Sequence, residues 1–260
     1  MKTLFIKVLL LGFIYQTAPA QEVANYYRVW QGFQRSDISG AQFLGDLPGF
    51  MRDTIKMYEG RALSNYIVVI PPKDSPDFLP HEFALVALTS EESYRYIRST
   101  SEGKRYADRH WDVFDKKLSK SAPFVVYDDT RVRKLESNVS YDMFGQPLNW
   151  SLGHTVVFVG IRKPEVSKQD FMARLQNHIE LARNVMSSRG LHGYIVVANE
   201  NYEVAYLNWN SKKSHDSSVA SDAGKLVFGD AGKFMNPLMY QEPVIYSGGS
   251  VELNKVYQAK

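Results

Sequence analysis

Residues 29–69 and 157–197 are one segment written twice, in a single register and without a gap. A shift of 128 places Val29 on Val157, Gly32 on Gly160, Ser39 on Ser167, Phe43 on Phe171 and Leu47 on Leu175. It continues through Arg61 on Arg189 and Leu63 on Leu191 to Tyr66-Ile67-Val68-Val69 on Tyr194-Ile195-Val196-Val197. A second block follows at a shift of 121, with Glu82 on Glu203, Ala84 on Ala205, Ser90 on Ser211, Ser93 on Ser214 and Gly103-Lys104 on Gly224-Lys225. Internal repetition constrains architecture more than any local pattern. A unit of about a hundred residues is too long for a solenoid repeat and long enough to bury its own core, so the chain reads as a duplicated small domain.

Each copy reads as strand, helix, strand, strand, helix, strand. In the first, Tyr27–Phe33 is rich in β-formers, and Ser39–Tyr58 is a helical stretch that Pro48-Gly49 is expected to interrupt. Strands follow at Ser64–Ile70 and Glu82–Leu88; Thr89 is the expected N-cap of a broken helical stretch over Glu91–Leu118, with Glu92 reaching back to complete a capping box. Pro123–Tyr127 is the expected last strand. In the second copy the strand is Thr155–Ile161 and the helix Ser167–Ser188, whose Phe171, Leu175, Ile179, Ala182 and Met186 mark one face. Strands over Gly193–Ala198 and Glu203–Trp209, a short helix and a strand over Pro243–Tyr246 complete it.

A βαββαβ unit is the ferredoxin-like α+β sandwich, an antiparallel sheet with helices on one face. The strands of both copies are nonetheless apolar on both faces, as in Val68-Val69 and Val196-Val197. A sheet apolar on both sides must be covered on both sides. Helices cover one; the sheet of the other copy is the simplest cover for the second. The expectation is a pseudo-twofold α/β barrel closed within one chain. The divisions are a leader over 1–20, the first repeat over 21–127, a connection over 128–153, the second repeat over 154–247 and a tail over 248–260. The connection is long for a passive loop, and Tyr141, Phe144 and Trp150 suggest that part of it packs.

At the N-terminus Lys2 and Lys7 precede an apolar run, Val8 to Ile14, and Ala18-Pro19-Ala20 ends the segment with small residues. That is the pattern of a secretory leader cleaved before Gln21, and the run is too short to span a bilayer. Export to a periplasm or outside the cell is expected, with no membrane association after cleavage. Losing the leader removes two lysines and no acid, taking the formal charge from +3 to +1 (3 − 2). A nearly neutral chain gives no electrostatic reason to expect nucleic acid. Cysteine is absent, which excludes disulfides, thiol nucleophiles and thiolate metal sites.

The second repeat resembles the antibiotic-biosynthesis-monooxygenase group of dimeric α/β-barrel domains. The residues that carry this are the helix Phe171-Met-Ala-Arg-Leu-Gln-Asn-His178, then Arg189-Gly190-Leu191-His192-Gly193-Tyr194, and the strand end Tyr206-Leu207-Asn208-Trp209-Asn210-Ser211. The resemblance spans about 155–246; the first repeat joins it only through likeness to the second, because Leu88-Thr89-Ser90 has no tryptophan. It implies cofactor-independent oxygenases, haem-degrading enzymes, isomerases or proteins without activity, usually with the barrel built from two chains. The related chlorite-dismutase-like haem proteins carry two such units per chain.

His178 falls three residues after Leu175 and four before Ala182, on the apolar face of its helix, where it can act as a general base or acid or simply as a satisfied core histidine. The first repeat has Phe50 there, so any site is expected in the second repeat. By resemblance Trp209 lines a pocket between sheet and helices; Asn208 beside it is a candidate oxyanion donor, Tyr194 a ligand contact, and His215 a further contact whose polar neighbours favour solvent exposure. Arg28 and Trp30 share a face of the first strand where the second repeat has Val156 and Phe158. A buried arginine needs a carboxylate, carbonyls or a ligand anion. His110-Trp111-Asp112, near Tyr94, Tyr96 and Tyr106, can form an aromatic wall for a planar or sugar ligand.

No phosphate-binding glycine loop, zinc-protease helix, nucleophile elbow, nicotinamide fingerprint or metal-ligand spacing is present. Three readings remain open. The leading one is a small-molecule enzyme without a cofactor, a monooxygenase or isomerase on a phenolic or enolisable substrate, with His178, Asn208 and Trp209 at its centre. The second is a binding protein for haem or another hydrophobic ligand. The third is an enzyme on polysaccharide, suggested by export and many apparently exposed tyrosines. The oligomeric state stays open.

Overall fold

The computed structural model describes residues 23–131 and 134–246; the expected leader over 1–20 and tail over 248–260 lie outside the described residues. In the first half, β1 (Tyr26–Gly32), α1 (Gly40–Tyr58), β2 (Leu63–Val69), β3 (Glu82–Leu88), α2 (Glu91–Ser99), α3 (Ser101–Val113) and β4 (Lys120–Ala122) follow one another. A short β5 (Phe124–Val126) and β6 (Ser140–Asp142) lead to the second half: β7 (His154–Arg162), α4 (Lys168–Ser187), β8 (Leu191–Ala198), β9 (Tyr202–Trp209), α5 (Lys212–Ala220), α6 (Asp222–Ala231), β10 (Met235–Gln241) and β11 (Val244–Tyr246). The sheet orders β2-β3-β1-β4 and β8-β9-β7-β10 are the same order twice, each antiparallel, which makes both halves ferredoxin-like.

The two sheets face each other. Val29, Ile67, Val69, Phe83 and Leu85 of the first pack with Val157, Val159, Ile195, Val204 and Tyr206 of the second in one buried cluster. Each sheet's other face carries its own helices: Phe43, Leu47 and Phe50 of α1 in one half, Phe171, Leu175 and Ile179 of α4 in the other. Strand alternation delivers one set of side chains to the barrel interior and the next to the helical layer. The chain is therefore an α+β protein, two ferredoxin-like repeats closed into a single-chain α/β barrel.

Several identities kept by the duplication are structural. Ser39 and Ser167 cap α1 and α4, and Ser90 and Ser211 cap α2 and α5, each accepting from the amide three residues on. Gly103 and Gly224 sit just after the α2–α3 and α5–α6 junctions. A Cβ there would come within 2.1 Å of the Ile97 carbonyl oxygen and 2.2 Å of the Val219 carbonyl oxygen. The cap of α2 is thus Ser90 and not Thr89, whose amide instead donates to Ala62 O. The single short helix expected in the second half is a pair, α5 and α6.

Two other expectations are corrected. Pro48 does not interrupt α1, because the buried stripe Phe43, Leu47, Phe50, Met51 and Thr54 continues across it and holds both sides in register. The stretches expected as each repeat's last strand, Pro123–Tyr127 and Pro243–Tyr246, belong to the opposite sheets: β11 pairs with β2, and β5 joins the second sheet through β6, which pairs with β8. The true fourth strands are β4 and β10. β4 is three residues of polar sequence and β10 carries Pro237 at a bulge, so neither shows strand alternation. Each half thus ends by adding a strand to its partner. In the connection, Tyr141 and Trp150 are buried and Phe144 packs against the second core.

Candidate functional site

Each half holds a cavity between its helices and its sheet, and the duplication relates the two. Trp30, Tyr58, Val86, Tyr106 and His110 line the first; Phe158, Met186, Leu207, Val227 and Ala231 line the second, at shifts of 128 or 121. The first cavity measures about 210 Å3 and the second about 50 Å3.

His178, Tyr194 and Trp209 all border the second cavity. His178 is held by α4 on the face that buries Leu175 and Ala182, and its Nδ1 lies 3.3 Å from Asp230 Oδ2 on α6. Burial pulls its pKa below the ordinary histidine value, with Asp230 opposing in part. Nδ1–H toward Asp230 leaves Nε2 as the basic nitrogen. Glu203, the first helix-facing residue of β9, borders the same cavity in complete burial. Its Oε1 accepts from the Tyr194 hydroxyl at 3.4 Å, and its Oε2 has no protein partner among the described residues. Desolvation without a cation pushes its pKa up to about 8.

A second polar chain enters from the rim. Asp216 Oδ1 lies 2.8 Å from His215 Nδ1, and His215 Nε2 lies 2.7 Å from the hydroxyl of Tyr240, which lines the cavity. The His215 ring stacks on Tyr240 at 5.7 Å and meets Trp209 edge-on at 5.4 Å. Solvent exposure of His215 is overturned: it is only 8% exposed, because α5 turns this residue toward β9 and β10. The oxyanion role of Asn208 is overturned as well. Its side chain alternates to the face opposite Trp209, where its amide donates to Thr155 Oγ1 at 2.7 Å and Leu152 O at 3.1 Å.

A porphyrin does not fit beside His178. An apolar cavity of about 150 Å3 holds a benzene molecule, and this one is near 50 Å3 as it stands. Among the described residues no group of three or more histidines and carboxylates is placed to hold a metal ion, and no helix is long and apolar enough to cross a membrane.

Arg28, Trp30, His110 and Trp111, read from two distant stretches of sequence, come together in the first cavity. Trp30 meets His110 edge-on at 4.8 Å and Trp111 at 6.2 Å. His110 Nδ1 lies 3.1 Å from Tyr106 O, and burial lowers its pKa to about 4, so the ring is neutral. Phe50 stands where the second half has His178 and packs on His110 and Phe114.

Sequence reasoning missed Glu203, Asp230, Tyr240 and Arg98. Glu203 had a visible signal: it is an identity of the repeat, and unlike Ser39 or Gly103 neither it nor Glu82 caps a helix or fills a tight junction. Glu82 is equally buried, both its oxygens lack a protein partner among the described residues, and burial lifts its pKa to about 8 as well. Both face a repeat glycine across the strand pair, Gly32 with Glu82 and Gly160 with Glu203. Tyr240 was hidden because β10 itself went unrecognised.

No protein-family model matches the sequence, and no curated protein does. The chain path is similar to several solved structures of ferredoxin-fold α/β-barrel proteins. One is a monooxygenase-like protein from Listeria innocua, at 13% identity over 84% of this chain and 94% of that one, with a TM-score of 0.36. Another is a ferredoxin-fold protein related to antibiotic biosynthesis monooxygenases from Listeria monocytogenes, at 12% identity over 86% and 97%, TM-score 0.35. A third is SnoaB, a cofactor-independent oxygenase from Streptomyces nogalater, at 10% identity over 39% of this chain and 99% of that one, TM-score 0.28.

Proposed function

We propose that the chain is a small-molecule enzyme that moves a proton in the second cavity, acting on a small phenolic or enolisable compound without a cofactor. One observation carries this reading. Two titratable groups on one cavity have their ordinary order of acidity reversed: His178 is pulled below its usual range while Glu203 is raised to about 8. At neutral pH that supplies a neutral imidazole to accept a proton and a protonated carboxyl to donate one. Environments that drive two such groups apart are how a site assigns acid and base. Tyr240, whose hydroxyl donates to His215 Nε2 while His215 Nδ1 donates to Asp216, is held in place at the rim of the same cavity. Trp209 and Leu207 supply an apolar wall.

The cavity is too small for a ring as it stands, so entry requires a wall to yield. Phe228 is the candidate, since it lines the cavity and is 38% exposed on α6; Met186 adds an unbranched side chain that can repack. The polysaccharide reading loses its basis, because Tyr58, Tyr66, Tyr106, Tyr194, Tyr202 and Tyr206 are buried. We also propose export, with the mature chain starting at Gln21; N-terminal sequencing of protein recovered from outside the cytoplasm tests it, and an intact Met1 there would refute it.

Exchange of carbon-bound hydrogen with deuterated solvent, followed by proton NMR over a panel of phenols and enolisable ketones, tests the chemistry directly. His178→Ala is expected to remove exchange and Glu203→Gln to slow it. Undiminished exchange in His178→Ala would overturn the assignment.

A further inference from the structure

The first cavity has a chemistry that the second lacks. Its floor is Tyr58 and Tyr106, both buried; Arg28, Tyr94, Arg98 and Trp111 stand half-buried around it. Arg28 lies 5.5 Å over the Tyr94 ring, and Tyr94 stacks on Tyr58 at 6.3 Å. Arg98 reaches the Tyr58 hydroxyl and also donates to Gly103 O at 3.4 Å. Arg28 donates from Nε to Ser121 Oγ at 3.0 Å and from Nη2 to Ser121 O at 3.4 Å.

Neither guanidinium has a carboxylate partner among the described ion pairs. The contrast with their surroundings is informative. Arg61, Arg95 and Arg109, on the nearby surface, reach Glu102 at 2.8 Å, Glu91 at 2.6 Å and Asp112 at 2.6 Å. Arg52 and Arg105 also have no ion pair among the described residues but stand exposed to solvent; Arg28 and Arg98 are the two that face the cavity, where the neutral His110 adds no charge. The duplication sharpens the point: Arg28 and Arg98 correspond to Val156 and Val219, so both cations belong to one half only.

We propose that this cavity is a binding site for a small planar aromatic anion, a single ring bearing a carboxylate. Arg28 and Arg98 meet the carboxylate; Trp30, Trp111 and Tyr94 hold the ring. Guanidinium groups match a carboxylate in plane and stack on aromatic faces. The volume of about 210 Å3 exceeds the roughly 150 Å3 that accommodates benzene, leaving room for the acid group. The proposal is independent of the proton-transfer reading, which uses the other cavity.

Isothermal titration of the full chain with benzoate and, separately, with its neutral isostere benzamide tests it. Benzoate is expected to bind saturably and at least tenfold more tightly than benzamide, and to weaken as salt rises. Arg28→Gln and Arg98→Gln should each weaken benzoate about tenfold or more, with Arg28→Lys intermediate because a point charge remains. His178→Ala should leave benzoate binding unchanged. Equal binding of the two probes, no saturable heat with benzoate, or full affinity in the Arg28→Gln/Arg98→Gln double variant would each overturn the proposal. Should the glutamine variants fail to fold by circular dichroism, the benzoate–benzamide comparison on the unaltered chain decides.

Discussion

The two cavities began as one. The same five lining positions recur in each half, yet one is cationic, aromatic and roomy while the other is apolar, narrow and carries an acid and a base. What the duplication kept is the frame: serine caps, glycines at the helix junctions and the buried Glu82 and Glu203. What diverged is the furniture of the lining, at Arg28 against Val156, Arg98 against Val219, Tyr58 against Met186, Tyr106 against Val227 and Phe50 against His178. Residues that satisfy backbone groups or allow two segments to touch have few substitutes. Residues that line space have many, and there a repeat can acquire two chemistries without losing its fold.

The comparison breaks most sharply on activity. If the second cavity alone performs proton transfer, His178→Ala and Glu203→Gln each lower solvent-exchange rates by about 10²–10⁴-fold, whereas Glu82→Gln in the first half leaves them unaltered. The rate should also fall below the pH at which His178 takes up a proton and again near pH 8, where Glu203 ionises. A Glu82→Gln variant that loses exchange would place the chemistry across both halves.

Next comes stability against pH, where the halves should behave alike. A carboxyl whose folded pKa is raised from 4.5 to about 8 favours folding fully below 4.5 and loses that contribution as pH climbs to 8. Glu82→Gln and Glu203→Gln are therefore each expected to add a few kcal/mol, roughly, at pH 9 and little at pH 4, read from urea midpoints. A stabilisation confined to one of them would show that the other carboxylate finds a partner when ionised.

Smaller still are the junction glycines. Gly103→Ala and Gly224→Ala push a methyl into the Ile97 and Val219 carbonyls, so each should cost about 1–3 kcal/mol, equally in the two halves. Unequal losses would mean that one helix pair can part while the other cannot. Last, haem titration should give no Soret change that His178→Ala removes, since the ring faces a space too small for a porphyrin.

Part of this was legible along the chain. The repeat, the βαββαβ order, the face-to-face closure and the apolar stripe through His178 are periodic or self-similar patterns, whereas the cavity beside Trp209 is expected from the resemblance alone. Glu203 stood in the aligned repeat, but a buried acid and an exposed one are written with the same letter. Arg98 sits among exposed polar residues of α2 and gives no local hint that it turns inward. β4 is three residues long and β10 is broken by Pro237, so the strands they hand across to the opposite sheet took their place in the reading.

The amino-acid order by itself determined that this protein is built twice and that the two copies cover each other, because alternation and helical spacing are short-range consequences of backbone geometry. The tertiary structure alone decided which side chains share a space. Arg28 and Arg98 come to line one cavity, and His178 and Glu203 another, only after strands and helices from separate stretches are packed, and it is that packing, by excluding water, that keeps the Glu203 carboxyl protonated.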